Sequence, residues 1–143
     1  QWQESGPAPS HPLHTYAAAV ALIAHPEHRA GEAFRRALDY LLEVCFSRVG
    51  PYKRASKSRW HTLAAPDFGH SALGVLELAA EAGIGQDDER LKPLIDWLKA
   101  QQVRGGIWPI SKRRPSHKDE EMFLTLRAAV AVKKIINDNT PPE

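Results

Sequence analysis

The sequence predicts an all-α domain built from repeated helical hairpins, and three observations support this prediction. Five segments have helix-forming patterns, such as apolar residues at spacings of three and four, glycine and proline separate these segments, and one order of residues occurs twice. No segment alternates at period two for long enough to predict a strand. The 143 residues suit a single domain. We expect an irregular leader over residues 1–13, one helical domain over 14–138 and a tail over 139–143.

The first half of the chain predicts two helices. An alanine-rich run over 14–24 is apolar on all sides, so we expect other helices to surround it. The second helix spans about Gly31 to Phe46, where Phe34, Leu38 and Leu41 recur at helical spacing.

Three further helices are expected in the second half. Pro66-Asp67 predicts the start of the third, and Gly83 its end. Asp87 or Asp88 is expected to cap a fourth helix that runs to Gln102. The fifth covers about residues 119–136, acidic at its start and basic near its end, as the helix dipole favours.

The repeat is the main signal for hairpins. The Asp-aromatic-Leu sequence around Tyr40 returns around Trp97, 57 residues later, and the Gly-x-aromatic break around Tyr52 returns at Trp108, 56 residues later. A period in the fifties that spans two helices is typical of an α-hairpin array.

Three segments in the second half resemble a known family. The sequence from Asp96 to Gln102, followed by Gly105-Gly106-Ile107-Trp108, resembles the QW repeat of the prenyltransferase and squalene-cyclase superfamily. Residues 83–90 resemble the Gly-x-x-x-Asp-x-Arg turn of its bacterial members of unknown function, and residues 125–129 resemble the start of their closing helix. The resemblance covers about residues 66–132, with a degenerate copy over 14–52. It implies helical hairpins wound into a partial α/α toroid.

The chain departs from the enzymes of that superfamily. It has no Asp-x-Asp-Asp acid motif, and the residue two before Cys45 is Glu43 where zinc-dependent members have aspartate. Five helices make about half a ring. An incomplete ring leaves an apolar helix face exposed, so we expect further sequence, a protein partner or a homo-oligomer to cover the open edge.

Composition excludes several classes of protein. A net charge of +2 does not by itself imply a polyanionic partner, and one cysteine cannot form an intrachain disulfide. No apolar run approaches the length of a membrane span, and no signal-peptide pattern is present, so we expect a cytoplasmic protein without a membrane partner.

Basic residues concentrate in two loops that the repeat places on one rim. These candidate ligand-binding residues and the aromatic residues among them are Lys53, Arg54, Lys57, Arg59, Trp60, Trp108, Lys112, Arg113 and Arg114. Such a rim could bind a phosphate-bearing ligand or nucleic acid. Alternatively, it is a solvated surface whose cations pair with acids of the last helix.

Candidate chemistry elsewhere is sparse. Asp67 and His70, three residues apart, could form an acid–base pair, although a first-turn acid and a core histidine explain them as well. The histidine pairs 11/14 and 25/28 each precede or span a proline, and no second cluster completes a metal site. Cys45 is expected to behave as a small hydrophobic residue. We therefore predict no metal and no cofactor.

Three functions remain open at this point. The first is a non-catalytic binding or scaffold module that uses the basic rim or the concave face for a macromolecular partner. The second is a fragment or subunit of a prenyl-diphosphate or terpenoid cyclase-type enzyme. The third is a nucleic-acid-associated protein. The sequence does not establish a catalytic activity.

Overall fold

The computed structural model describes residues 11–44, 63, 71–109 and 118–137, and within these ranges the chain is helical without strands. Five α-helices are described, and their bounds are α1 Pro12–Ala24, α2 Glu32–Val44, α3 Ala72–Glu81, α4 Lys92–Gln101 and α5 Lys118–Asn137. None of these helices is long and apolar enough to cross a membrane.

Helix α1 begins two residues earlier than predicted. His11 has extended backbone angles and its Nδ1 accepts a hydrogen bond from the backbone N–H of Leu13 at 3.3 Å. Pro12 then occupies the first turn, where its missing N–H costs least. The predicted leader is therefore too long by these residues.

Helix α3 lies at the centre of the domain. It contacts α1, α2, α4 and α5, and eight of its ten residues are buried, leaving only Glu77 and Glu81 partly or fully exposed. A short helix that is apolar all round is stable only when other helices cover it. The core of the domain is thus built around α3.

The start of α3 differs from the prediction. Ser71 has extended angles, and its Oγ accepts a hydrogen bond from Gly74 N at 3.1 Å, which defines the N-cap. The helix begins at Ala72, five residues after Asp67, because Ser71 has an extended backbone and its side chain accepts a free N–H of the first turn.

The connection between α3 and α4 contains the predicted glycine break and a capping aspartate. Gly83 has a φ of 72°, and the N–H of Ile84 donates to the carbonyl of Ala79 at 3.0 Å, so the left-handed residue closes the helix end. Asp88 then caps a 3-10 turn over Glu89–Leu91 that leads into α4.

Helices α3 and α5 run in the same direction. Glu77 pairs with Arg127, and Glu81, one turn further along α3, pairs with Lys134, two turns further along α5, so the contacts advance in the same direction on both helices. Beyond the end of α3, Gln86 N donates to the carbonyl of Ile135 near the end of α5. Since α1 also contacts α3, the three helices form a row with α3 in the middle.

The expectation that other helices surround α1 is wrong for the described part of the chain. Only Pro12 and Ala19 of α1 are buried, and Val20 is 42% exposed. The reason is position, because α1 stands at one end of the row and α3 takes the enclosed place.

Candidate functional site

Helix α5 carries apolar residues on two opposite faces. One face packs into the domain through Leu124, Ala128, Ala131 and Ile135, which are all buried. The opposite face is apolar as well but points to solvent. A helix with a single core contact normally has a polar second face, so α5 departs from the usual pattern.

The exposed face, called here the outer α5 face, is formed by large side chains. Their exposed fractions are Met122 64%, Phe123 49%, Leu126 61%, Val130 43% and Ile136 48%. Met122, Leu126 and Val130 are four residues apart, which aligns them along one side of the helix. Single exposed apolar residues need no explanation, whereas a continuous row of them is typical of an interaction surface.

Two ion pairs hold α5 against α3 beside this face. Arg127 donates from Nε to Glu77 Oε1 at 2.7 Å and from its second nitrogen to Oε2 at 2.6 Å, a bidentate arrangement. Lys134 pairs with Glu81 further along. These residues, with Leu126 and Val130, line a groove of about 300 Å³ between the two helices.

The Glu77–Arg127 pair is partly buried and coupled to α1. The side chains of Arg127 and Glu77 are 21% and 29% exposed. Hydrogen bonding to Glu77 raises the pKa of Arg127, and burial, followed by the charge of Glu77, raises the pKa of the Tyr16 phenol. The guanidinium also lies 6.0 Å from the Phe123 ring centre. Arg127 thus interacts with Glu77 of α3 and Tyr16 of α1 on one side and with Phe123 of the outer α5 face on the other.

A second feature is a cleft of about 420 Å³ between α2 and the end of α3. Its floor is apolar, and its walls carry charged side chains of both signs. The floor is formed by Phe34, Leu38 and Ile84, and the walls are formed by Arg29, Arg35, Arg90, Asp39 and Glu81. We call it the arginine cleft.

Arg90 is fixed by two carboxylates at the edge of the arginine cleft. Its Nε and one terminal nitrogen donate to Asp88, and its other terminal nitrogen donates to Asp39 Oδ1 at 2.7 Å. Hydrogen bonds from Arg90 lower the pKa of Asp88. The bridge to Asp39 joins the α3–α4 turn to α2 across 51 residues of sequence.

The cleft is better suited to hold an anion than to move a proton. Asp39 is paired with Arg90 and Glu81 with Lys134, so both carboxylates of the lining already have cationic partners. Arg29 also lines the cleft, and its Nε donates to the carbonyl of Ile23.

Trp108 is the one predicted rim residue that the structure describes, and it lies in the core. Its side chain is 7% exposed, and its indole N–H donates to the carbonyl of Leu98 at 2.8 Å. Gly105 and Gly106, with φ of 90° and 78°, make the turn that returns Trp108 beneath α4. The indole is thus used for packing, and the ligand-binding role of Trp108 stays a prediction.

The other predicted site residues lie outside the described residues. They are the rim residues Lys53, Arg54, Lys57, Arg59, Trp60, Lys112, Arg113 and Arg114, the candidate pair Asp67 and His70, and Cys45. The basic rim thus stays a prediction.

The described histidines form two close pairs. The rings of His11 and His14 have centroids 4.8 Å apart, and those of His25 and His28 are 6.1 Å apart. His11 is occupied as the N-cap of α1. Among the described residues, no group of three or more metal-ligating side chains comes together.

Sequence reasoning predicted an exposed apolar face at the edge of the array but did not assign it to a helix. The signal was present, since Met122, Leu126 and Val130 recur at spacing four, half a helix turn away from Leu124 and Ala128. The arginine cleft was missed altogether, because its walls come from segments far apart in the sequence.

Searches among protein families, curated proteins and solved structures found no match to this chain.

Proposed function

We propose that this chain is a non-catalytic binding or scaffold module, built from α-hairpin repeats of a partial α/α toroid, whose outer α5 face docks a macromolecular partner. The observation that carries the proposal is the row of exposed apolar side chains on α5, with Met122 and Leu126 more than 60% exposed. Water contact with such a row is unfavourable, and a partner that covers it gains the free energy of apolar burial.

The position of α5 in the helix row supports the proposal. Helix α3 has neighbours on both sides, α1 and α5, and among the described helices the most extensive contact of α5 is with α3. In an array of hairpins each repeat covers the apolar face of the one before it. Helix α5 covers one face of α3, and by the same rule the outer α5 face is the one that the next repeat or a partner would cover.

The rigidity of the face supports the proposal further. The ion pairs from Glu77 and Glu81 of α3 hold α5 at two points, which restricts its rotation about its own axis and its sliding along α3. A face held in place before binding loses little conformational entropy when a partner arrives.

The proposal is tested by two matched substitutions. Val130 on the outer α5 face and Val20 on α1 are 43% and 42% exposed, so V130E and V20E replace the same residue type at equal exposure. We expect each to change the free energy of unfolding by no more than about 0.5 kcal/mol, because neither residue belongs to the buried core.

The readout is binding of the fluorescent probe anilinonaphthalene sulfonate to the folded protein at low protein concentration. We expect the unchanged chain and V20E to bind the probe alike and V130E to bind it more weakly, because the probe reports exposed apolar surface and the new charge interrupts the row. The proposal fails if the unchanged chain does not bind the probe, or if V130E unfolds it, since the face would then belong to the core.

A second candidate function rests on the arginine cleft. Its apolar floor at Phe34 and Leu38 and its rim at Arg29 and Arg35 would suit a diphosphate with an apolar chain, as the prenyl-diphosphate hypothesis expects. Calorimetric titration with geranylgeranyl diphosphate tests it. We expect binding that R35A weakens, and heat of dilution alone would reject this candidate.

A further inference from the structure

We propose that the occupant of the outer α5 face is a second copy of this chain, bound through antiparallel pairing of the two α5 helices about a twofold axis at Leu126. The inference rests on the proposed function, since it names the partner of that docking face. Two observations carry it: the apolar pattern of the face and the placement of charges at its ends.

The apolar pattern is symmetric about Leu126. In antiparallel pairing Leu126 meets its own copy, and Met122 lies opposite Val130 of the partner subunit. All three residues are exposed in the single chain. Contact between rows of residues four apart is the commonest way in which two helices pack.

Asp119 and Lys133, near the two ends of the face, are complementary in the same register, while Lys118 would lie opposite the partner's Lys134, whose charge is already paired with Glu81 of its own chain. Asp119 and Lys133 are both exposed, and each lies seven residues, or two helical turns, from Leu126. Antiparallel pairing brings Asp119 of each copy to the partner's Lys133, and the twofold axis repeats this ion pair. Parallel pairing would instead place like charges opposite each other.

The size of the face sets the strength of the association. A helix of 20 residues is about 30 Å long, and one helix face covers less than the roughly 800 Å² per partner of a standard interface. We therefore infer a concentration-dependent dimer of micromolar or weaker affinity, in equilibrium with a folded monomer.

Sedimentation velocity over a range of protein concentrations tests the proposal. We expect the unchanged chain to shift from monomer to dimer as its concentration rises, and L126E to remain monomeric, because two glutamates would meet at the axis. The V20E variant, altered on α1, is the matched control and should dimerise as the unchanged chain does.

The register is tested by charge reversal. D119K and K133D each replace both interfacial ion pairs with like-charge contacts, so each variant alone should dimerise about tenfold more weakly. An equimolar mixture of the two should recover dimerisation, because every contact across the mixed dimer again joins opposite charges. Circular dichroism of both variants confirms that they fold.

Two results would overturn the proposal. One is that the unchanged chain stays monomeric at every concentration. The other is that the unchanged chain dimerises but the mixture of D119K and K133D does not recover its dimerisation. If the chain stays monomeric while the outer α5 face still binds the apolar probe, the second copy is rejected and the docking function is retained. If the probe does not bind either, both proposals fail together.

Discussion

Replacing Trp108 by phenylalanine tests whether the indole serves the core. The indole N–H donates to the carbonyl of Leu98, which lies in the last turn of α4, where helix carbonyls have no partner within the helix. The N–H of Gln102, which would otherwise reach this carbonyl, donates to Lys99. The W108F variant therefore leaves a buried acceptor without a donor.

The expected cost of W108F follows from two losses. A buried carbonyl without its hydrogen bond costs about 1–3 kcal/mol. The smaller ring also leaves unfilled space at a site only 7% exposed, which adds roughly 1 kcal/mol. We expect a total of about 2–4 kcal/mol, a large part of the 5–15 kcal/mol that is typical of a domain.

Urea unfolding followed by circular dichroism measures this cost. The neighbouring variant I107V is the control, because Ile107 is 37% exposed and lies in the same turn. We expect W108F to lower the unfolding midpoint well below that of I107V, and W108A to lower it further. Midpoints for W108F and I107V that agree would refute the reasoning and return Trp108 to the predicted rim.

Three further predictions concern caps and titrating groups. S71A should lower the free energy of unfolding, measured by thermal denaturation, by about 1 kcal/mol, because the Ser71 hydroxyl caps α3. S71T keeps a hydroxyl at this position and should retain most of the stability that the cap provides. Because Arg90 lowers the pKa of Asp88, the ionised form favours folding; this contribution is present above about pH 4 and is lost as the pH falls through the lowered value. D88N should flatten the acid limb of a plot of urea midpoint against pH, and an unchanged limb would count against the pairing. Burial raises the pKa of Tyr16, so stability should be complete below about pH 10 and fall as the pH rises through the raised value, and Y16F should abolish that alkaline loss.

Helix positions were largely predictable because their signals are local. The acidic start and basic end of α5 placed it within one residue of its observed bounds, Lys118–Asn137. Asp87 or Asp88 was expected to cap the fourth helix; Asp88 caps the 3-10 turn that leads into it, and Leu91, which precedes α4, makes no side-chain cap. The start of α3 was predicted wrongly, because Pro66-Asp67 and Ser71 both carry helix-start signals. Ser71, which accepts a hydrogen bond from Gly74, is the cap of this helix.

Placement in space was much less predictable. The repeat that aligned Trp108 with Tyr52 indicated a common rim, but the tight turn at Gly105 and Gly106 returns Trp108 to the core. Helix α1 and helix α3 are both largely apolar in sequence, and their places in the row decide which one is enclosed. Contacts between distant segments, such as Arg90 with Asp39, depend on that order too.

The enclosed position of α3 has a consequence for hydrogen exchange. With eight of ten residues buried and neighbours on every side, the backbone amides of α3 can meet water only when the whole domain opens. Their slowest exchange rates should therefore report the global free energy of unfolding, while the outer amides of α1 exchange through local fraying. Deuterium uptake in this short segment would thus serve as an internal gauge of stability for every variant described above.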